Sequence, residues 1–92
     1  MKKILKWVIN HPILEIQMPI GSVILAAQAQ GDNVCVWAIV DVDQPETELR
    51  TFEVYPTGTA VHEDMGTERK YINTVQLEGG ALVFHVFEYL GV

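Results

Sequence analysis

Two dense apolar runs, Val34 to Val40 and Leu82 to Phe87, stand out from a chain that elsewhere alternates between apolar and polar positions. Both are rich in β-branched and aromatic residues. Turn formers bound them: Gly31-Asp32-Asn33 and Asp41 around the first, Gly79-Gly80 before the second. Runs of this length read as central strands, being too short for free-standing helices. Ile4 to Ile9 predicts a first strand, and charge on alternate positions suits it to a sheet edge. Ile13 to Met18 predicts a second, with Pro12 and Pro19 at strand ends or edges because each removes a ladder donor. Val23 to Gln30 has helix formers in it, yet it follows a Pro-x-Gly turn and enters the next strand through Gly31-Asp32-Asn33, so it reads as a hairpin strand. Glu48 to Tyr55 alternates as a strand with one wet face should, and Lys70 to Leu77 supplies another. Pro56-Thr57-Gly58-Thr59 is a turn, and the polar stretch His62 to Arg69 is a mobile loop with room for one helical turn. The result is an all-β, antiparallel barrel or sandwich of about seven short strands.

Composition narrows the class. The 92 residues hold one domain, residues 1–92, and 49% of them are apolar, which excludes disorder. So small a core, together with exposed strand edges, points to a homo-oligomer, a tetramer or another assembly. Twelve acidic against six basic side chains give a net charge of −6, too few cations to neutralise a DNA or RNA duplex. A small phosphate-bearing ligand needs only one or two cations and stays open. Cys35 is the only cysteine and reads as a small apolar strand residue, which suits a reducing cytoplasm. The opening Met1 to Ile9 imitates a signal peptide, but Lys6 interrupts it and Asn10-His11-Pro12 ends it early, so the protein is expected in the cytoplasm rather than in a membrane.

Reactive chemistry is thin. Ser22 is the only serine and lies in a turn; His11, His62 and His85 are far apart, without metal-ligand spacing. No cofactor motif is visible, and Glu63-Asp64 reads as a solvated acidic loop. Binding chemistry offers more. Alternation sets His85 with Val83 and Phe87 on one face, where the imidazole needs a hydrogen-bond partner or a ligand if it is buried. Trp37 alternates with Cys35 and Ile39, as a core or interface residue or as a stacking platform. Arg50, embedded in a strand, forks onto a carboxylate or phosphate or pairs with Glu48 or Glu53. Tyr55 and Tyr71 are further aromatic platforms, Arg69 and Lys70 further cations, and Thr57, Thr59 and Asn73 further hydrogen-bonding groups.

The chain also resembles a family of small phage and prophage proteins. The pieces that carry the resemblance are Lys3 with Trp7, Met18-Pro19-x-Gly21 with Ile24-Leu25, and Gln28-x-Gln30-Gly31. Cys35-x-Trp37-Ala38-x-Val40-Asp41, Arg50-x-Phe52, Thr57-Gly58 and Tyr71-Ile72-x-Thr74-x-Gln76 continue it. Gly80-x-Leu82-Val83-Phe84-His85-Val86-Phe87-Glu88 completes it. Val42 departs from the proline expected after the aspartate, and the Tyr89 to Val92 tail is additional. The resemblance extends, in size and character, to phage counter-defence proteins that act as sponges for cyclic oligonucleotide signals of bacterial immunity. It implies a non-enzymatic, oligomeric binder of a cyclic dinucleotide or its kin, acting in the host cytoplasm. Two alternatives remain: an acidic inhibitor or accessory factor docking on a basic host protein, and a small hydrolase using His62 or His85 as acid–base group.

Overall fold

The computed structural model describes residues 1–91, and all seven expected strands are there. They are β1 (Lys2–Ile9), β2 (Ile13–Pro19), β3 (Val23–Gln30), β4 (Asn33–Asp41), β5 (Thr47–Pro56), β6 (Arg69–Leu77) and β7 (Leu82–Tyr89). They form two antiparallel sheets, one ordered β1-β4-β3 and the other β2-β5-β7-β6. The architecture is thus a sandwich and not a closed barrel. The two dense apolar runs, β4 and β7, each lie between two neighbours, where a strand has both ladders to fill. Edge strand β1 carries Lys2, Lys3 and Lys6, charges that discourage indiscriminate edge pairing. Pro19 closes edge strand β2, while Pro12 lies between strands and its carbonyl accepts a hydrogen bond from Val54 N–H. Among the described residues no helix is long and apolar enough to cross a membrane.

Alternation decides the core. Val34, Val36, Ala38 and Val40 of β4 face the second sheet, where Met18, Phe52, Val75 and Val86 meet them, all buried. Trp7 packs against this cluster from β1. The opposite face of β4, with Trp37 half-buried between Lys6 and Ala26, lies on the outside of the three-stranded sheet. The two sheets are pinned at one corner by Ala27 N–H, which donates to Asn73 Oδ1 at 3.0 Å. The two ends of the sandwich differ. One carries the Arg50–Glu88 pair; at the other the sheets part beneath the β1–β2 and β3–β4 turns.

Two β-bulges reset the phase. In β6, Tyr71 pairs with Phe87 but Asn73 pairs with Val86, so Ile72 is an extra residue. Strict alternation would put Tyr71 and Asn73 on one face; the bulge leaves Tyr71 outside, sends Asn73 inward and brings Thr74 outside beside His85. A matching irregularity falls between Ile24 and Ala26 of β3. The β6–β7 connection is a short 3-10 turn, Glu78–Gly80, in which all three residues have positive φ (52°, 65° and 95°). The His62–Arg69 stretch forms turns, among them one isolated turn of helical type in which Glu68 N–H donates to the Asp64 carbonyl at 3.1 Å, and it is closed by Gly66 N–H donating to the Arg69 carbonyl at 2.8 Å.

Candidate functional site

The outer face of the four-stranded sheet carries the densest concentration of binding chemistry. Register places Tyr55 of β5, His85 and Phe87 of β7, and Tyr71 and Thr74 of β6 side by side. Phe87 is the hub: Tyr55 meets it edge-to-face at 5.8 Å between centroids, and Tyr71 at 5.5 Å from the other side. Such perpendicular contacts suit the ring quadrupoles and fix the aromatic strip without burying it. Tyr71 is half exposed.

A chain of hydrogen bonds runs beside the rings. His85 Nε2 is hydrogen-bonded to Thr57 Oγ1 at 2.7 Å and His85 Nδ1 to Thr74 Oγ1 at 3.0 Å; Tyr71 Oη completes the chain at 2.7 Å from the Thr74 hydroxyl. Each hydroxyl can act as donor or acceptor, so the chain can reverse its direction to suit a ligand. Thr57 and Thr59, with Met65, help to wall a cavity of about 230 Å³ over His85 and Phe87. At the other end of the strip Tyr71 borders a crevice of about 450 Å³ between β3 and β6, which also holds Lys70 and Arg50. Five of the ten residues singled out in the sequence thus gather on or beside the outer face, Tyr71, Tyr55, Thr57, Thr59 and His85, while Arg50 and Lys70 lie on the inner side, in the crevice that Tyr71 borders.

The other three go elsewhere. Arg69 is structural: its Nε donates to Glu53 Oε1 at 2.6 Å, its Nη1 to both Asp64 oxygens at 2.8 and 2.7 Å, and its guanidinium lies 4.6 Å from the Tyr89 ring centroid. Asn73 faces inward because of the bulge and holds β3. Trp37 lies on the other sheet, on its outer face between Lys6 and Ala26 and away from the track.

Electrostatics further limits the cations. Arg50 does not pair with Glu53; it donates through Nε and Nη2 to Glu88, with the Nη2 bond at 3.0 Å, and through Nη1 to the Ser22 carbonyl at 2.8 Å. Glu48, at 3.4 Å, is a weaker partner. Glu88 holds the Arg50 guanidinium more firmly charged than in water. Glu88, a partner 38 residues away, was invisible to a reading of local spacing. Both arginines are therefore neutralised within the chain, while Lys70 makes no ion pair among the described residues. Burial pushes the Tyr55 hydroxyl pKa up, and its donation to Glu53 Oε1 at 2.7 Å pushes it the same way. In the loop, a hydrogen bond from Glu68 lowers the Asp64 pKa and raises that of Glu68, with Arg69 adding to the fall at Asp64. Among the described residues no three His, Cys, Asp or Glu side chains cluster as a metal site would require.

A family model described as "Domain of unknown function (DUF7352)" matches residues 1–91, and the chain belongs to that family. No curated protein and no solved structure matches it.

Proposed function

We propose that this member of the family is a non-enzymatic binding module that sequesters a cyclic oligonucleotide signal, in a pocket completed by a second copy of itself. On this reading it is a phage-encoded immune-evasion protein at work in the host cytoplasm. The observation that carries the proposal is the outer-face track, in which the Tyr55–Phe87–Tyr71 strip lies beside the Thr57–His85–Thr74 chain and ends, at Tyr71, on the crevice that holds Lys70. Aromatic faces take bases, hydroxyls and imidazole take base edges or sugar hydroxyls, and the lysine takes a phosphate. Base stacking at ~1–3 kcal/mol per base, with charged hydrogen bonds, reaches the roughly −11 kcal/mol of a 10 nM complex. With one uncommitted cation per track, a ligand with two or more phosphates calls for a second subunit. The unpaired β1 edge, with Lys2, Lys3 and Lys6 and with Ile4 61% exposed, is a surface through which copies can join.

Calorimetry against a panel of cyclic di- and trinucleotides tests this. The expected result is submicromolar binding without turnover, weakened at least tenfold by Tyr71→Ala and by Lys70→Glu. Silence across the panel, or ligand cleavage, overturns it. The acidic-inhibitor reading draws on Glu15, Glu46, Glu63 and Glu78, which stay exposed while other carboxylates are spent on arginines. A protein partner captured from host lysate at low salt and released at high salt, with no nucleotide bound, would favour it.

A further inference from the structure

We infer that the open end of the sandwich is a second binding site, for a small neutral or cationic molecule with an apolar ring or chain. The cavity there measures about 420 Å³, within the usual range for small-molecule sites of about 300–1,000 Å³. Its walls come from both sheets: Val34 from β4 on one side, Val54, Leu77 and Phe84 from the strands opposite. Val34 and Leu77 belong to the main hydrophobic cluster and Val54 and Phe84 pack against it, so the cavity is an inlet of the core. An apolar body placed here would be desolvated on two sides by residues already held in place by the strands.

Polar groups occupy the mouth alone. His11 and Asp32 stand there on the two turns, the His11 ring tied by Nδ1 to Asn10 Oδ1 at 2.8 Å. They can hydrogen-bond the polar end of a ligand whose body fills the inlet. Asp32 is the one carboxylate lining the cavity, with no arginine or lysine beside it. A carboxylate or phosphate head would therefore meet repulsion, which separates this site from the anion-binding track on the outer face. The crevice at the opposite end is of another kind, since the Arg50–Glu88 pair and Lys70 line it with charge.

The full chain should be titrated with the neutral fluorophore 1-aminoanthracene and, separately, with the anionic 1-anilinonaphthalene-8-sulfonate. One saturable site per chain is expected for the neutral probe, with at least tenfold weaker binding of the sulfonate. Val54→Phe, at a half-buried wall position, should abolish probe binding while the circular dichroism spectrum is unchanged. Asp32→Lys, on an exposed turn, should shift preference toward the sulfonate with no demand on the core. Chemical-shift changes should centre on Phe84 and Val34. Equal binding of both probes, unchanged binding by Val54→Phe, or shifts centred on Tyr71 and Phe87 would overturn the proposal. Binding of cyclic nucleotides is read separately and stands or falls alone.

Discussion

At the scale of single residues, the buried charges carry the sharpest expectations. Arg50 and Glu88 keep only 18% and 7% of their side-chain surface in solvent, and each depends on the other. Removing one partner strands the other, and fully buried pairs then lose about 3–5 kcal/mol. Because the guanidinium is partly wet, Arg50→Met should cost about 2–3 kcal/mol in urea denaturation, and adding Glu88→Leu should restore most of it. No recovery in the double variant would show that the pair is not the cause. The loop carboxylates give a pH signature. Glu68 has a raised pKa, so its favourable contribution is present at low pH and is lost as pH rises through that value; Asp64 has a lowered one, so its contribution is present at higher pH and is lost only as pH falls through it. Acidification from neutrality should first tighten the 62–68 loop and loosen it only below the usual carboxylate range. A carbon-detected NMR titration should give Glu68 the higher midpoint, and the reverse order would refute this. His85 shows how much was legible at this scale: alternation put it on the right face with Val83 and Phe87, but its threonine partners come from a turn and from another strand.

At the scale of elements, the strands were legible because each run is short, β-rich and punctuated. Bounds differ by a residue or two: β1 starts at Lys2 instead of Ile4, and β7 runs to Tyr89 instead of Phe87. The bulge at Ile72 was barely legible: the apolar pair Tyr71-Ile72 followed by the polar pair Asn73-Thr74 breaks the alternation, but which residue is extra is decided by pairing with β7. That is why Asn73, read as a ligand contact, became a brace for β3. The β6–β7 turn depends on left-handed backbone at Gly79, with a φ of 65°. Gly79→Ala should cost about 1 kcal/mol, seen as a fall of roughly 4–8 °C in Tm. An unchanged Tm would mean the turn relaxes. On the proposed assembly through β1, Ile4→Glu should leave the fold intact and lower the mass found by light scattering towards that of a single chain; an unchanged mass would place the contact elsewhere.

At the scale of the whole molecule, pairing order was the least legible feature. β1 pairs with β4 across two intervening strands' worth of sequence, and β2 pairs with β5. Hydrophobic pattern reports which face is buried but not which strand lies beside which. The shape follows from the layering: extents of 40 × 32 × 17 Å describe a slab, with a Cα radius of gyration of 13.5 Å against about 12 Å for an average domain of this length. A slab leaves two broad outer faces, and the aromatic strip of Tyr55, Phe87 and Tyr71 occupies one of them. Such non-local pairing predicts slow folding, on the order of milliseconds to seconds in stopped-flow refolding. A microsecond phase carrying the whole amplitude would contradict it.

The chain passes from one sheet to the other after β1, β2 and β4, so all of β1, β3 and β4 has been synthesised once Asp41 has been made. Of the strands that will cover them, only β2 exists at that moment, and its ladder partner β5 is still to come. When they clear the exit tunnel, Val34, Val36, Ala38 and Val40 are a bare oily patch on a nascent chain, open to chaperones and to neighbouring nascent chains alike. The interval between their emergence and that of Phe52 and Val86 is when this protein is most exposed to misassembly, and a pause that holds β4 just outside the tunnel should raise the aggregated fraction more than one that holds it inside.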